Sequence, residues 1–305
     1  MESTISRQRA PVLLNGSLIP QIIYGTARRE GKRLPNVLQA LEVGYRAIDT
    51  ATSRRFHHED EDGQAIAQCL AKDSGSVHRH DVLIQSKYCA PADQTEQWPY
   101  DIADDTKSRV FKSVLCCADN LEIDVIDVYF LSPLSSSDRT LDAWHALESI
   151  ANRGGIRYIG VCNVRIASLR ALYEQARVKP TFVQNWFRKA KDFDREVMEF
   201  CRGHGIVYQI FGVFDVENAD LLDSEPVQKH AQVNSISTHQ ALIQFLMAVA
   251  TSQGLQLCIL DGTTSIDHMK DNLKAVSQPS EIRDVDARVF SDLIGWIYDD
   301  DIVYV

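Results

Sequence analysis

The chain has 305 residues, 45% of them hydrophobic and 24% charged, with a formal net charge of -10 and a pI near 5.4. This is enough chain to bury one large core. The acidic balance excludes nucleic acid and anionic membrane surfaces as main partners, because both need clustered Lys and Arg.

The predicted elements run in a regular order. Segment 12–20, VLLNGSLIP, reads as a hairpin around Asn15-Gly16, placed to cover the bottom of a barrel. Eight short runs rich in Val, Ile, Tyr and Phe follow, at 21–26, 45–50, 81–88, 125–132, 156–163, 181–187, 206–213 and 255–262. Continuous apolar runs of this length suit strands covered on both faces. Between them lie stretches with apolar residues at i, i+3 and i+4, including Asp105 to Leu121, Leu141 to Ile150 and Glu196 to Cys201. A last helix follows Asp284, then the acidic-aromatic tail 296–305. Eight β-then-α units fit a barrel or a doubly wound sheet. The count and even spacing favour the barrel. The expected fold is an α/β (β/α)8 TIM barrel, one domain over 1–305, with an N-terminal β-hairpin and a C-terminal helix and tail.

No apolar run approaches the ~20 residues of a membrane helix, and the start MESTISRQRAPVLLNG has no apolar leader core. The seven cysteines show no C-x-x-C spacing. This suits reduced thiols in the cytoplasm and argues against a metal site. The expected partner is a small-molecule substrate, and the expected state a monomer or weak dimer.

In such barrels chemistry sits where strands end. Those ends carry Asp49, Lys87, Ser132, Asn163, Gln184, Tyr208 and the turn at Gly262. A charge ending a buried strand is costly unless paired, so Asp49 and Lys87 are expected to form an ion pair. His57 and His58 precede Glu59, Asp60, Glu61 and Asp62. The acids read as a solvated helix start favoured by the dipole. Adjacent residues rarely point at one ion, so a metal is not expected there. His78 and His80 precede a strand and so belong at the opposite face. Ser132 has no evident activating base. Cys162 reads as a small buried hydrophobe.

GYRAIDTA at 44–51, IQSKY at 84–88, GVCN at 160–163, VQNWF at 183–187, YQIF at 208–211 and LDGTTSIDHMKDNL at 260–273 together resemble the aldo-keto reductase family, most closely a fungal branch of it. The resemblance spans nearly the whole chain. It implies carbonyl reduction by a nicotinamide cofactor and a tetrad of Asp, Tyr, Lys and His. Asp49 and Lys87 match. A gap-free comparison puts His57 at the tyrosine position, and the commoner spacing puts Phe56 there. Ser132 stands at the histidine position, leaving a degenerate tetrad.

The resemblance also implies that Asn163, Gln184 and Tyr208 hold and stack on the nicotinamide, with Cys162 in place of a serine. At the eighth strand Gly262 and His268 stand where Lys and Arg usually clamp the 2'-phosphate, beside Thr263, Thr264, Asp271 and Asn272. NADP(H) or NAD(H) binding is therefore expected to be weak or vestigial. Gly212 replaces a large aromatic, which implies a wider pocket floor. The expected catalytic residues are Asp49, His57, Lys87 and Ser132.

Three functions follow. The first is a barrel enzyme of fungal specialised metabolism repurposed for non-redox dehydration, isomerisation or cyclisation. The second is an NAD(P)H-dependent carbonyl reductase using His57 in place of tyrosine. The third is a catalytically silent binding protein. The sequence places the first narrowly ahead, because an unperturbed imidazole has a pKa near ~6.5 and shuttles protons at neutral pH.

Overall fold

A computed structural model describes residues 16–27, 33–71, 77–91, 99–134 and 137–296. The strands are β1 (Ile22–Gly25), β2 (Ala47–Asp49), β3 (Leu83–Tyr88), β4 (Ile126–Leu131), β5 (Ile156–Cys162), β6 (Phe182–Trp186), β7 (Val207–Phe211) and β8 (Leu257–Asp261). They pair in sequence order, all parallel, and β8 closes on β1 with Tyr24 opposite Asp261. Each of the eight runs read from the sequence contains one strand. Helices α1 (Arg33–Val43), α2 (Glu59–Leu70), α3 (Thr106–Leu121), α4 (Ser137–Asn152), α5 (Ile166–Gln175) and α6 (Arg195–His204) fill the first six crossovers. The β7–β8 crossover holds three, α7 (Ala219–Leu222), α8 (Glu225–Asn234) and α9 (Thr238–Ser252). After β8 come α10 (Ile266–Ser277) and α11 (Asp284–Ile294).

Side chains alternate across each strand, so every strand feeds two layers. Ile23, Ala47, Leu83, Val128, Phe130, Cys162, Phe182, Val207, Cys258 and Leu260 form the inner layer. The other face packs outwards under the helices, with Ile48, Ile84, Tyr129, Val161, Val183, Tyr208 and Ile259 in the larger cluster. Gly160 makes the inner packing work. A Cβ there would lie 2.7 Å from the Phe182 carbonyl oxygen and 2.8 Å from the Phe130 ring.

The N-terminal end of the barrel is tied by Asp127, fully buried in β4. It accepts from Arg79 at 2.7 Å, Arg157 at 3.0 Å and the Ile84 amide at 2.9 Å. His78 and His80 belong to the turn before β3 at this same end, as expected. Of the hairpin expected over 11–20, only Gly16–Pro20 fall among the described residues, and the tail beyond Trp296 lies outside them.

Candidate active site

At the C-terminal end of the barrel the inner layer turns from apolar to polar. Asp49, Gln85, Gln184 and Gln209, from β2, β3, β6 and β7, are all buried. Asp49 Oδ2 accepts from Lys87 Nζ at 2.6 Å, and Oδ1 from Gln85 Nε2 at 2.6 Å and Gln184 Nε2 at 2.9 Å. Gln209 completes the network by accepting from both amides and donating to Gln85 Oε1 at 3.0 Å. The carboxylate therefore has a counter-charge and two neutral donors, which makes its burial tolerable. Lys87 Nζ also donates to the Thr50 carbonyl at 2.8 Å. An ammonium has three donors, so one remains for an oxygen at the mouth. The Lys87 side chain is 15% exposed against 5% for Asp49, placing the lysine on the open side of the pair.

The loop after β2 folds back on Ser53, whose carbonyl accepts from the amides of Phe56 and His57 at 3.1 and 2.9 Å. This buries the His57 imidazole beside β1, with Nδ1 3.2 Å from Thr26 Oγ1. Phe56 turns the other way, its ring under the Arg55 guanidinium at 5.0 Å. Arg33, buried at the start of α1, donates to the carbonyls of Thr26 and Phe56 at 3.4 and 3.2 Å. Burial, and then the charges of Lys87 and Arg33, hold the His57 imidazole well below its ordinary pKa of 6.5. His57 is thus neutral at physiological pH. Its residue type alone places the pKa at about 6.5.

The acidic run is also corrected in part. Asp60 and Glu61 are partly exposed and pair with Arg54 and His58 at 2.9 and 3.9 Å. Glu59 and Asp62 are instead buried. Glu59 accepts from Ser86 at 2.5 Å. Asp62 Oδ2 accepts from Thr26 Oγ1 at 2.9 Å and Thr50 Oγ1 at 2.7 Å. Burial pushes the Asp62 carboxyl up from 3.8 to about 7. Nothing in the residue types marked these two. The helical spacing of 59, 62, 66 and 69, all buried, is the signal that separates them from their neighbours.

The remaining expected residues divide. Ser132 is half-buried just past β4, beside the β3 end, since Tyr88 pairs with Leu131. Cys162 packs in the inner layer. Asn163 follows β5 in the left-handed region at φ 53°, its amide donating to the Gln184 carbonyl. Gln184 faces the barrel axis, with its amide engaged by Asp49 and Gln209. Tyr208 does not face the pocket. It lies on the outer face of β7, where its hydroxyl donates to Asp194 at 2.8 Å and its ring tilts against Trp296. The inward aromatic at the end of β7 is Phe211, stacked on Trp186 with centroids 6.1 Å apart. Gly212 does not widen the floor. A Cβ there would lie 2.4 Å from the Trp186 indole nitrogen, which donates to Asp215 at 2.8 Å, so that indole occupies the space.

A cavity of about 510 Å³ opens between the β7 and β8 ends. Its lining includes Gly262, Thr263, Thr264, His268 and Asp271, with His239 contributed by α9. The His239 and His268 rings stack at 6.0 Å. Asn272 donates to Asp261 at 2.7 Å, and Tyr45 to the same carboxylate at 3.2 Å, so these residues stiffen the wall. Ser265 caps α10 by accepting from the His268 amide.

The sequence model of the Aldo/keto reductase family matches residues 21–288. The chain belongs to this family. It is similar to the glyoxal reductase of Bacillus subtilis (strain 168), at 28% identity over 235 residues and 76% of each chain. It is also similar to the glycerol 2-dehydrogenase (NADP(+)) of Hypocrea jecorina, at 25% identity over 293 residues and 87% of each. The methylglyoxal reductase DkgA of Escherichia coli (strain K12) is 29% identical over 174 residues, 56% of this chain and 55% of that one. Among solved structures, the barrel superimposes on an aldo-keto reductase from a deep-sea metagenome library. The TM-score is 0.74 at 21% identity, with 96% and 100% of the chains covered. Against this aldo-keto reductase background, Asp49 and Lys87 are paired at the mouth, and His57 is buried on the loop after β2 beside Thr26. Among the described residues no helix is long and apolar enough to cross a membrane, and no three His, Cys, Asp or Glu gather to hold a metal.

Proposed function

We propose that this aldo-keto reductase is a nicotinamide-dependent carbonyl reductase in which His57 takes the acid–base role. The observation that carries the reading is His57 buried beside Thr26 within the field of Arg33 and of Lys87, which is itself paired with Asp49. Two cationic groups favour negative charge developing on a substrate oxygen, which is what carbonyl reduction needs. The free donor of Lys87 binds that oxygen. The neutral imidazole exchanges a proton with it. The sequence placed non-redox chemistry narrowly ahead. The names of the relatives, reductases and a dehydrogenase, support the redox reading instead. They also support small aldehydes and dicarbonyls as the substrate class.

The cavity beside α10 suits the nucleotide end of the cofactor. Its volume is within the range of ligand sites, and a capped helix N-terminus with Thr263 and Thr264 favours phosphate. Among the described lining residues only His239 and His268 can carry positive charge, and Asp215, Asp261 and Asp271 share the lining. Arg and Lys are the usual phosphate clamps, so the cavity favours no strong preference for NADPH over NADH. When bound, a reduced nicotinamide supplies the hydride.

The test is methylglyoxal reduction with NADPH or NADH, followed by loss of nicotinamide absorbance. Wild type should turn over. His57→Phe should lose activity by about 10² to 10⁴, the usual worth of acid–base catalysis, with the fold unchanged by circular dichroism. Full activity in that variant would overturn the assignment.

A further inference from the structure

His57 does not stand alone. Its Nδ1 meets the Thr26 hydroxyl, and that hydroxyl meets Asp62 Oδ2, which the Thr50 hydroxyl also reaches. Thr26 comes from the β1 end, Thr50 and His57 from the loop after β2, and Asp62 from α2. Asp62 Oδ1 is buried with no hydrogen-bond partner. A carboxylate engaged through one oxygen only, by two hydroxyls, is poorly compensated for a full charge inside a protein.

We propose that Asp62, acting through Thr26, sets which ring nitrogen of His57 carries the proton and stores the proton that His57 delivers. A threonine hydroxyl has one hydrogen and can pass it in one direction at a time. With Asp62 ionised, Thr26 donates to Asp62 and accepts from His57 Nδ1–H. His57 Nε2 then carries a lone pair and is a base. With Asp62 protonated, its proton goes to Thr26 Oγ1 and Thr26 donates to His57 Nδ1. His57 Nε2 then carries the hydrogen and is an acid. The relay thus converts one neutral tautomer into the other, with no imidazolium. This answers a difficulty raised by the site, since a neutral histidine held by Lys87 and Arg33 is a poor acid by the usual route.

The inference rests on the reductase reading for its role in turnover, and the proton count closes. When a substrate carbonyl is reduced, its oxygen would take the Nε2 proton. Nδ1 takes the Thr26 proton, and Thr26 takes the Asp62 proton. Asp62 ends as a carboxylate and regains its proton from solvent before the next reduction. Asp62 and Thr26 are therefore positioning residues, and of the relay only His57 touches substrate.

The charged and titratable groups around the relay are Arg33 from α1, Lys87 from β3, and His58 and Glu59 beside His57 and Asp62. Cys117 of α3 and Ser86 of β3 face Glu59. Arg33 favours ionised Asp62. Burial dominates and holds the Asp62 carboxyl near neutrality, where the switch can work.

The test reads the tautomer directly, by nitrogen-15 NMR of the His57 ring in the full chain without substrate or cofactor. Wild type should carry the hydrogen on Nε2 at low pH and on Nδ1 at high pH, with a midpoint near Asp62's value of about 7. Thr26→Ser, which keeps the hydroxyl, should preserve the switch. Thr26→Val, nearly isosteric, should abolish it, and Asp62→Asn should fix one tautomer at every pH. Methylglyoxal reduction by wild type should fall as pH rises through the same midpoint, and Thr26→Val should be slow and flat. A tautomer that does not change with pH in wild type, or a switch that survives in Thr26→Val, would overturn the relay. His57→Phe retaining turnover would instead overturn the catalytic assignment and leave the tautomer result intact.

Discussion

Asp49 is tolerated inside the barrel because three donors converge on its two oxygens, and only Lys87 supplies charge. Lys87→Met would leave a buried carboxylate with amides alone. Asp49→Asn would leave a buried ammonium with the Thr50 carbonyl. Breaking a buried pair from one side typically costs about 3–5 kcal/mol, and removing both charges costs much less. Urea unfolding of the two single variants and the double should therefore give a coupling energy of at least about 3 kcal/mol, the two single losses summing to well above the loss in the double. Additive losses would mean the pair is not a unit. This pair was legible in the sequence, because a charge at each of two strand ends has few other partners. The neutrality of His57 was not legible. It depends first on burial, and then on Lys87 from β3 and Arg33 from a helix start, none of which the local sequence RRFHHEDEDG reveals. The same is true of Asp62, whose raised pKa comes from burial that only the α2 packing creates.

At the scale of elements, the strands were readable because a parallel barrel covers both their faces, leaving unbroken apolar runs. Which residue faces inwards was less readable. The match of YQIF to the family put Tyr208 in the pocket, but the period of two puts Gln209 and Phe211 there and turns Tyr208 towards Asp194. The approach of α2 to α3 depends on one glycine. A Cβ on Gly63 would lie 2.1 Å from the Asn120 carbonyl oxygen and 2.8 Å from the Leu121 Cα, both backbone atoms. Gly63→Ala gains up to ~1 kcal/mol in helix propensity, but must push the helices apart, and overpacking of this kind typically costs about 1–3 kcal/mol. The clash is deep enough that the loss should win, lowering the melting temperature. Because α2 carries Asp62 and follows His57 directly, reductase activity should fall as well. Gly203 in α6 has nothing within 4 Å of its Cβ position. Gly203→Ala should therefore stabilise by about 0.5–1 kcal/mol. Equal stabilisation in the two variants would show that the α2–α3 contact is loose enough to take a Cβ.

For the whole molecule, the buried groups at the mouth impose a pH dependence that the net charge does not reveal. Unfolded, Asp62 titrates near its ordinary 3.8; folded, near about 7. Between those values the folded chain holds a proton that the unfolded chain has lost, so this group's contribution to stability is lost as pH rises across the window. Glu59, also raised by burial, acts with the same sign. His57 acts oppositely. Its folded pKa is well below 6.5, so below that pH the unfolded chain binds a proton the folded chain does not, and stability falls on acidification. The two slopes overlap below about pH 6.5 and partly cancel in wild type. Asp62→Asn removes the first and leaves the second. The variant's stability relative to wild type should therefore rise between about pH 4 and 7 and be level above. Moving a carboxyl from 3.8 to about 7 bounds the rise at about 4 kcal/mol, at roughly 1.4 kcal/mol per decade. Urea unfolding of both proteins across this range measures it without substrate or cofactor. A difference that stays constant with pH would mean that Asp62 is ionised at neutral pH in the folded chain at no cost. The proton store behind His57 would then be empty.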